Sequence, residues 1–210
     1  MEYKRLKIIR HGEHVVEVSL NQPKKSNAMD TRLWREVGHF FTSVVNETAC
    51  RCIILTGQGR HFSSGIDLND NAFGEASSGG SGDDDDDEHS VAHAALGILR
   101  TGTEWQRAWS SLEECGRPVI AAIHGACIGA ALELASATDI RLCTNNAVFA
   151  APEVQVGIAA DIGGLQRFPK IIGNDSLVRE LMFTGRKMYA PEALSLGMSE
   201  FVVVLASCMW

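Results

Sequence analysis

The stretch that decides the fold runs over residues 117–167 and reads RPVIAAIHGACIGAALELASATDIRLCTNNAVFAAPEVQVGIAADIGGLQR. Strand-like and helix-like patterns alternate within it, which predicts an α/β domain with crossover connections. Three acids, Glu133, Glu153 and Asp161, stand in its otherwise apolar sequence. Burying a carboxylate is costly unless it is paired or works as an acid or base, so these residues are the first functional candidates.

The segment around Gly129 predicts a helix that begins directly after a strand and a turn. A helix start leaves backbone N–H groups free and carries a partial positive charge, which suits an oxyanion. Glu133 lies one turn into this helix, and Asp161 follows Glu153 by eight residues. Spacing alone leaves two interpretations open: the acids share one site, or each caps a helix or pairs with an arginine such as Arg141.

The composition predicts one globular domain. The chain has 210 residues, of which 45% are hydrophobic, and a formal net charge of −7. Six acids lie together at 83–88, so the remainder is close to neutral. The absence of a basic cluster argues against a nucleic-acid partner. No apolar run reaches the roughly 18 residues of a membrane span, and the N-terminal residues before the first strand are too few to predict a transit peptide.

The six cysteines form no C-x-x-C pair and stand mostly in apolar segments. We therefore predict free thiols that pack as small hydrophobic side chains in a reducing compartment. His11 and His14 flank a predicted turn, and the seven histidines show no metal-ligand spacing. No metal site is predicted.

Local patterns predict the remaining elements. Residues 6–10 and 15–20 read as the two strands of a hairpin, and Asp30 is placed to cap the next helix. A further helix is predicted over 91–115. Its expected buried positions are Ile98, Leu99, Trp105, Trp109 and Leu112. The polar, acidic segment 74–90 predicts a mobile surface insertion.

Four segments together resemble the enoyl-CoA hydratase/isomerase (crotonase) family. They are NQPKKSNAMD at 21–30, HFSSGIDL at 61–68, PVIAAIHGACIGAALELASATDIRL at 118–142 and APEVQVGIAADIGGLQRFPKIIG at 151–173. The resemblance implies an α/β spiral of ββα units. It implies one acyl-CoA-binding domain over 1–197 that carries the insertion 74–90. Residues 198–210 form a divergent apolar tail, so the family's C-terminal helical region is expected to be truncated.

The resemblance also implies a site for an acyl-CoA thioester. Its oxygen would lie between two backbone N–H groups, which by position are those of Ser64 and Ala130. The residues expected to line the substrate are Ser64, Gly65, Ile66, Asp67 and Leu68. Lys24 and Lys25 fall near the loop that contacts coenzyme A. Coenzyme A is part of the substrate, and no separate cofactor is implied.

Within the family, the acids distinguish the reactions. Hydratases resemble this chain at Glu133 and Glu153 but usually have glycine at the position of Asp161. An acid at all three positions resembles the Δ3,5-Δ2,4-dienoyl-CoA isomerase branch, which acts in fatty-acid β-oxidation. In this interpretation Glu153 takes a proton from carbon 2 and Asp161 delivers one to carbon 6. Glu133 forms the third wall of the pocket. The alternatives are a 2-enoyl-CoA hydratase that uses Glu133 and Glu153, and a non-catalytic acyl-CoA-binding remnant.

One departure concerns the turn before the first acid, where the family usually has a run of glycines. This chain has Gly129, Ala130 and Ala131 instead. We expect each added Cβ to take space beside the thioester, and alanine adopts a positive φ only at a cost. By association, the family implies a homo-oligomer (a trimer or a hexamer) and a mitochondrial or peroxisomal location.

Overall fold

The computed structural model describes residues 2–70 and 87–204. Its strands are β1 (Leu6–His11), β2 (Val15–Leu20), β3 (Cys52–Gly57), β4 (Val119–Ile123), β5 (Ala126–Ile128), β6 (Ile140–Thr144), β7 (Val148–Ala150), β8 (Met188–Tyr189) and β9 (Phe201–Val203). Its helices are α1 (Thr31–Val44), α2 (Asp87–Glu114), α3 (Ala130–Ser136), α4 (Gly164–Ile172), α5 (Asp175–Thr184) and α6 (Ala190–Ser195). Two short 3-10 turns occur at Pro23–Lys25 and Glu153–Val156.

The main sheet has six strands in the order β1-β2-β3-β4-β6-β9, and β5, β7 and β8 form a smaller sheet. The predicted hairpin is confirmed, because β1 and β2 are antiparallel with Leu6 opposite Leu20. The other neighbours in the main sheet are parallel. Parallel neighbours require crossovers, which α1, α2, the β5–α3 segment and the β7–α6 segment supply. The predicted α/β class is therefore confirmed.

Helix α1 begins where the sequence predicts. The Asp30 side chain accepts a hydrogen bond from the N–H of Leu33, which caps the helix. One face of α1 is apolar and packs into the core, except for the fully buried Glu36. Its carboxylate accepts hydrogen bonds from the backbone N–H groups of Lys4 and Arg5. Glu36 therefore anchors the start of β1 to α1.

Three tryptophans form a stack between α1 and α2. The Trp34 ring lies between Trp105, at a centroid distance of 4.8 Å, and Trp109, at 3.9 Å. Both contacts are close to parallel, with interplanar angles of 12° and 24°. Trp34 and Trp109 are fully buried, whereas Trp105 is only half-buried. The stack fixes the second half of α2 against the core.

The first half of α2 differs from the prediction. Ile98 and Leu99 were expected to be buried, but they are 48% and 65% exposed. Helix α2 has 28 residues and its main packing partner α1 has 14, so α2 extends beyond the element that covers its second half. Trp109 and Leu112 are buried as predicted.

Two predicted segments lie partly outside the described residues. Of the predicted insertion 74–90, the structure describes only residues 87–90, and these are the first residues of α2 rather than a loop. Of the predicted tail 198–210, residues 201–203 form β9, which pairs in parallel with β6. Positions 205–210 lie outside the description.

Across the described ranges, no helix has both the length and the apolar character that a bilayer crossing requires. The cysteines in these ranges are free thiols, and they are Cys50, Cys52, Cys115, Cys127 and Cys143.

Candidate active site

The three predicted acids line one cavity of about 400 Å³. Glu133 reaches it from α3, Glu153 from the 3-10 turn after β7, and Asp161 from the loop before α4. The sequence left open whether these carboxyl groups share a site. The fold brings them together because β5 and β7 are parallel neighbours, so the segments that follow both strands meet at the same edge of the small sheet.

The segment 62–66 includes the cavity-lining residues Ser64, Gly65 and Ile66. The loop before α1 holds this segment in place. The Ser63 hydroxyl donates to the carbonyl of Asn27 at 2.7 Å. The fully buried Asn27 amide donates in turn to the Phe62 carbonyl at 3.1 Å. Met29 and Ile66 form an isolated parallel bridge. These bonds make the wall a fixed part of the core rather than a free loop.

Gly65 lets two backbone segments approach closely. It adopts a φ of +88°, and a Cβ built at this position would lie 2.5 Å from the carbonyl oxygen of Ile128. The same Cβ position is 3.6 Å from the backbone nitrogen of Ala130. Because no side chain fits between them, the 64–66 backbone lies directly beside the start of α3.

The backbone donors at this junction differ in part from those predicted. The N–H of Ser64 donates to the carbonyl of Ser26 at 2.9 Å, so it is already engaged. Within residues 2–70 and 87–204, the N–H groups of Ile66 and Ala130 have no hydrogen-bond partner. Successive N–H groups of an extended segment point to opposite sides. Since Asp67 N–H donates to Met29, the Ile66 N–H points the other way.

The remaining predicted lining residues divide into two groups. Ser64, Gly65, Ile66 and Leu68 line the cavity. Asp67 does not, because its carboxylate accepts a hydrogen bond from the ammonium group of Lys25 at 2.9 Å. That hydrogen bond holds the pKa of Asp67 below its ordinary value. The contact of Asp67 with substrate stays a prediction, and in the structure its side chain ties the 23–25 turn to the cavity wall.

Glu133 is the most buried of the three acids, with 1% of its surface exposed. Its Oε1 accepts a hydrogen bond from the backbone N–H of Gly164 at 2.9 Å. Burial, with a smaller contribution from the nearby carboxylates of Glu153 and Asp161, raises the pKa of Glu133 to about 8, against the lowering effect of the Gly164 hydrogen bond. At neutral pH the Glu133 carboxyl is therefore mainly protonated.

Glu153 lies at the base of the cavity with 7% of its surface exposed. Neither carboxylate oxygen has a hydrogen-bond partner among the described residues. Burial raises the pKa of Glu153. A Cβ at Gly129 would lie 3.1 Å from Glu153 Oε1, which places this carboxyl beside the turn into α3.

Asp161 stands at the exposed end of the cavity. Its loop is bounded by Gly157, with a φ of +74°, and Gly163, with a φ of +126°. The carbonyl oxygen of Asp161 accepts a hydrogen bond from the Gln106 side chain at 2.9 Å. Glu153 and Asp161 thus occupy different environments, one buried and one open to solvent.

The other cavity walls are mostly apolar and were not predicted from sequence. They are formed by Ile98, Thr101, Gly102, Trp105, Ile128, Gly129, Pro152, Val156, Ile158, Ala159 and Ile162. The aromatic spacing of Trp105 and Trp109 identified the packed face of α2. It did not show that the edge of that face borders a cavity.

The alanines after Gly129 cause none of the expected backbone strain. Gly129 alone takes the positive φ of this turn, at +55°, and Ala130 and Ala131 are the first residues of α3. Ala130 lines the cavity as expected, whereas Ala131 is fully buried and does not.

In the described ranges, no group of three or more His, Cys, Asp or Glu side chains is arranged to hold a metal ion. The polar groups that converge on the cavity are instead three carboxyls and two unpartnered backbone N–H groups. Such a site can remove a proton from a substrate, deliver another, and stabilise an oxyanion between the two steps.

Comparison with known proteins identifies the class. A sequence profile of the family "Enoyl-CoA hydratase/isomerase" matches residues 10–209. The chain belongs to the enoyl-CoA hydratase/isomerase family, and its α/β architecture is the crotonase-like fold. The matched range takes in most of 198–210, the segment that the sequence interpretation set apart.

Individual relatives show which members of the family this chain is similar to. The chain is 45% identical over 196 residues to the mitochondrial Δ3,5-Δ2,4-dienoyl-CoA isomerase of Rattus norvegicus, covering 93% of this chain and 58% of that protein. It is 38% identical over 200 residues to the peroxisomal enzyme of the same name from Arabidopsis thaliana, covering 93% and 68%. A Thermobifida fusca protein described as an enoyl-CoA hydratase, solved in complex with acetoacetyl-CoA, superposes with a TM-score of 0.79 at 30% identity, covering 96% and 74%. The chain thus spans less than two thirds of the rat enzyme.

Proposed function

We propose that this protein isomerises a 3,5-dienoyl-CoA to the 2,4-dienoyl-CoA, a step of fatty-acid β-oxidation, in mitochondria or peroxisomes. The observation that carries the proposal is the presence of Asp161 on the same cavity as Glu133 and Glu153. The relatives named Δ3,5-Δ2,4-dienoyl-CoA isomerase, one mitochondrial and one peroxisomal, support it.

In the first step, ionised Glu153 takes a proton from carbon 2. The electron pair of the broken C–H bond enters the conjugated system, and negative charge develops on the thioester oxygen. A carboxylate with a raised pKa is a better proton acceptor near neutral pH than an ordinary glutamate. The partner-free oxygens of Glu153 support its assignment as this base.

The N–H groups of Ile66 and Ala130 are proposed to stabilise the resulting dienolate. They belong to backbone segments that Gly65 allows to lie side by side. Neither donor has to break a hydrogen bond within the described protein before it binds the thioester oxygen. Fixed donors of this kind strengthen as charge develops, because they need no reorganisation. Ile66 replaces Ser64 in this role.

In the second step, protonated Asp161 delivers its proton to carbon 6. The electron pair shifts back along the chain, which gives the 2,4-diene. The sites of proton loss and gain are four carbons apart, so two separate carboxyl groups are needed. Asp161 ends ionised and Glu153 ends protonated, and exchange with water restores both. The solvent-exposed position of Asp161 favours this exchange.

Substrate binding is proposed to use the apolar walls for the acyl chain. Coenzyme A is part of the substrate, and no other cofactor takes part in the proposed steps. Lys24 is the better candidate for a coenzyme A phosphate, because Lys25 already pairs with Asp67. We further propose that the protein acts as a homo-oligomer, a trimer or a hexamer.

The test is a two-substrate assay on the purified chain. With a 3,5-dienoyl-CoA, we expect growth of the ultraviolet absorbance of the conjugated 2,4-diene. Asp161→Asn is expected to lower this rate by roughly 100-fold or more, since a positioned acid contributes about that factor. Glu153→Gln is expected to lower it similarly.

The second substrate, a 2-enoyl-CoA, separates the competing functions. Hydration that exceeds isomerisation and is abolished by both Glu133→Gln and Glu153→Gln would identify a hydratase. Calorimetric binding of acyl-CoA without turnover of either substrate would identify a non-catalytic binding protein. Either result from a correctly folded wild type would end the isomerase proposal.

A further inference from the structure

The loop that carries Asp161 is held at its backbone from two opposite sides. On one side, the Glu133 carboxyl on α3 accepts the N–H of Gly164 at 2.9 Å. On the other, the amide of Gln106 on α2 donates to the Asp161 carbonyl at 2.9 Å. The first contact involves a cavity residue already assigned, whereas Gln106 does not line the cavity.

Within the loop, Ala160 and Ile162 are buried, whereas Asp161 between them is exposed. Gly157 and Gly163 bound the loop in conformations that other residues rarely adopt, so it joins its neighbours through two permissive positions. The Asp161 carbonyl accepts no hydrogen bond in the described structure other than the one from Gln106. Asp161 also has a short, exposed side chain, so the location of its carboxyl follows the location of its backbone.

Helix α2 is a suitable support for this loop. Its second half is fixed in the core by the stack of Trp105 and Trp109 on Trp34. One helical turn after Trp109, Glu113 forms an ion pair with Arg167 of α4. Gln106 therefore projects from a rigid element towards a loop whose other end is tied to the same helix.

We propose that Gln106 is a positioning residue that sets the place of the Asp161 carboxyl relative to carbon 6 of the substrate. The inference rests on the proposed isomerase function and extends it to a side chain outside the cavity. Its physical basis is that proton transfer requires hydrogen-bond distance, so a displacement of about 1 Å is costly even when the acid itself is intact.

The test replaces Gln106 by methionine, which keeps length and helix preference but removes the N–H donor. We expect kcat for dienoyl-CoA isomerisation to fall about threefold to tenfold, the effect of one lost hydrogen bond, with KM within about twofold. Gln166→Met is the matched control, because Gln166 is an exposed glutamine on α4 whose side chain has no hydrogen-bond partner in the described structure. It should leave kcat unchanged. Gln106→Lys, which again offers a donor, should recover at least half of the lost rate.

A double-mutant cycle separates positioning from a general structural effect. If Gln106 acts through Asp161, Gln106→Met should change the residual rate of Asp161→Asn by less than about 1.5-fold. An equal loss in both backgrounds, or wild-type kcat for Gln106→Met, would overturn the inference. If Gln106→Met does not fold, Gln106→Ala takes its place. Its kcat and its effect in the Asp161→Asn background are then judged in the same way. Absence of isomerisation in the folded wild type would instead remove the proposed function, and the positioning role with it.

Discussion

Glu133 Oε1 lies 2.9 Å from the backbone nitrogen of Gly164, and both groups are buried. A Cβ at position 164 would lie 2.8 Å from the same oxygen. The contact therefore requires glycine, and it joins α3 to the start of α4 directly behind Asp161. Glu133 holds a neighbouring backbone segment in place as well as forming a cavity wall.

The first prediction concerns stability against pH. The pKa of Glu133 is raised from an ordinary value of 4.5 to about 8. Between these values the unfolded chain has this group ionised while the folded chain keeps it protonated. The folded state binds the extra proton, so the free energy of unfolding falls as pH rises through this window and levels off above about 8. A pKa shift of this size corresponds to a loss of at most about 5 kcal/mol across the window.

Glu133→Gln removes this titration and keeps an acceptor for the Gly164 N–H. Urea unfolding at pH 5 and pH 8.5 measures the difference. We expect the wild type to lose more stability over this interval than the variant does. The raised pKa of Glu153 gives a loss of the same sign in both proteins, so it cancels in the comparison. Equal losses in the two proteins would contradict the prediction.

The second prediction concerns the close approach at Gly65. Gly65→Ala adds a Cβ 2.5 Å from the Ile128 carbonyl oxygen at a φ of +88°. We expect a loss of at least about 2 kcal/mol in stability, and weaker acyl-CoA binding because the two unpartnered N–H groups move apart.

Gly116→Ala is the matched control for this change. Gly116 has a φ of +67° but no atom within 4 Å of an added Cβ, so it isolates the conformational cost, which is about 1 kcal/mol. Thermal unfolding and calorimetric titration with an acyl-CoA measure both variants. Equal destabilisation by the two substitutions would show that the steric contact is unimportant.

The third prediction concerns the ion pair that joins β6 to the segment before β9. Arg141 is buried, and its guanidinium lies 2.6 Å from a Glu200 carboxylate oxygen. The other Glu200 oxygen accepts the backbone N–H of Arg141 at 2.6 Å. Glu200→Gln leaves the arginine charge without its partner, so we expect a loss of roughly 2–3 kcal/mol, reduced from a fully buried pair because Glu200 is partly exposed.

The control for this substitution is Glu47→Gln, which breaks the ion pair with Arg10 on the surface. Both of those side chains are well exposed, and exposed pairs contribute less than about 1 kcal/mol. Chemical denaturation of the two variants should therefore separate them clearly. If Glu47→Gln lost as much stability as Glu200→Gln, the predicted difference between the exposed and the partly buried ion pair would be wrong.

The sequence predicted those parts of the fold that depend on local pattern. The β1–β2 hairpin, the Asp30 cap and the parallel crossovers follow from alternation, capping chemistry and chain order. The prediction of buried positions along α2 was only half correct. Side-chain periodicity identifies which face of a helix is apolar, but it contains no information about the length of the partner that covers it.

The site was predictable to a similar depth. The three acids were identified because carboxyl groups in apolar segments are unusual. The hydrogen bond from the Ser64 N–H to the Ser26 carbonyl could not be foreseen, because it depends on how two separate loops pack together. The ion pair of Asp67 could not be foreseen either, because the ammonium group that engages it belongs to a residue 42 positions away. Gln106 carries no sequence signal, since a glutamine on an exposed helix face is ordinary.

The tryptophan stack gives the protein an intrinsic optical reporter. Trp105, Trp34 and Trp109 are three of the four tryptophans in the chain, and near-parallel indoles at such distances share their electronic excitation. One end of this coupled chromophore borders the cavity, and the other is enclosed in the core. Occupancy of the cavity should therefore change the near-ultraviolet circular dichroism and emission of the whole stack. Ligand binding could then be followed with unlabelled protein and without any turnover.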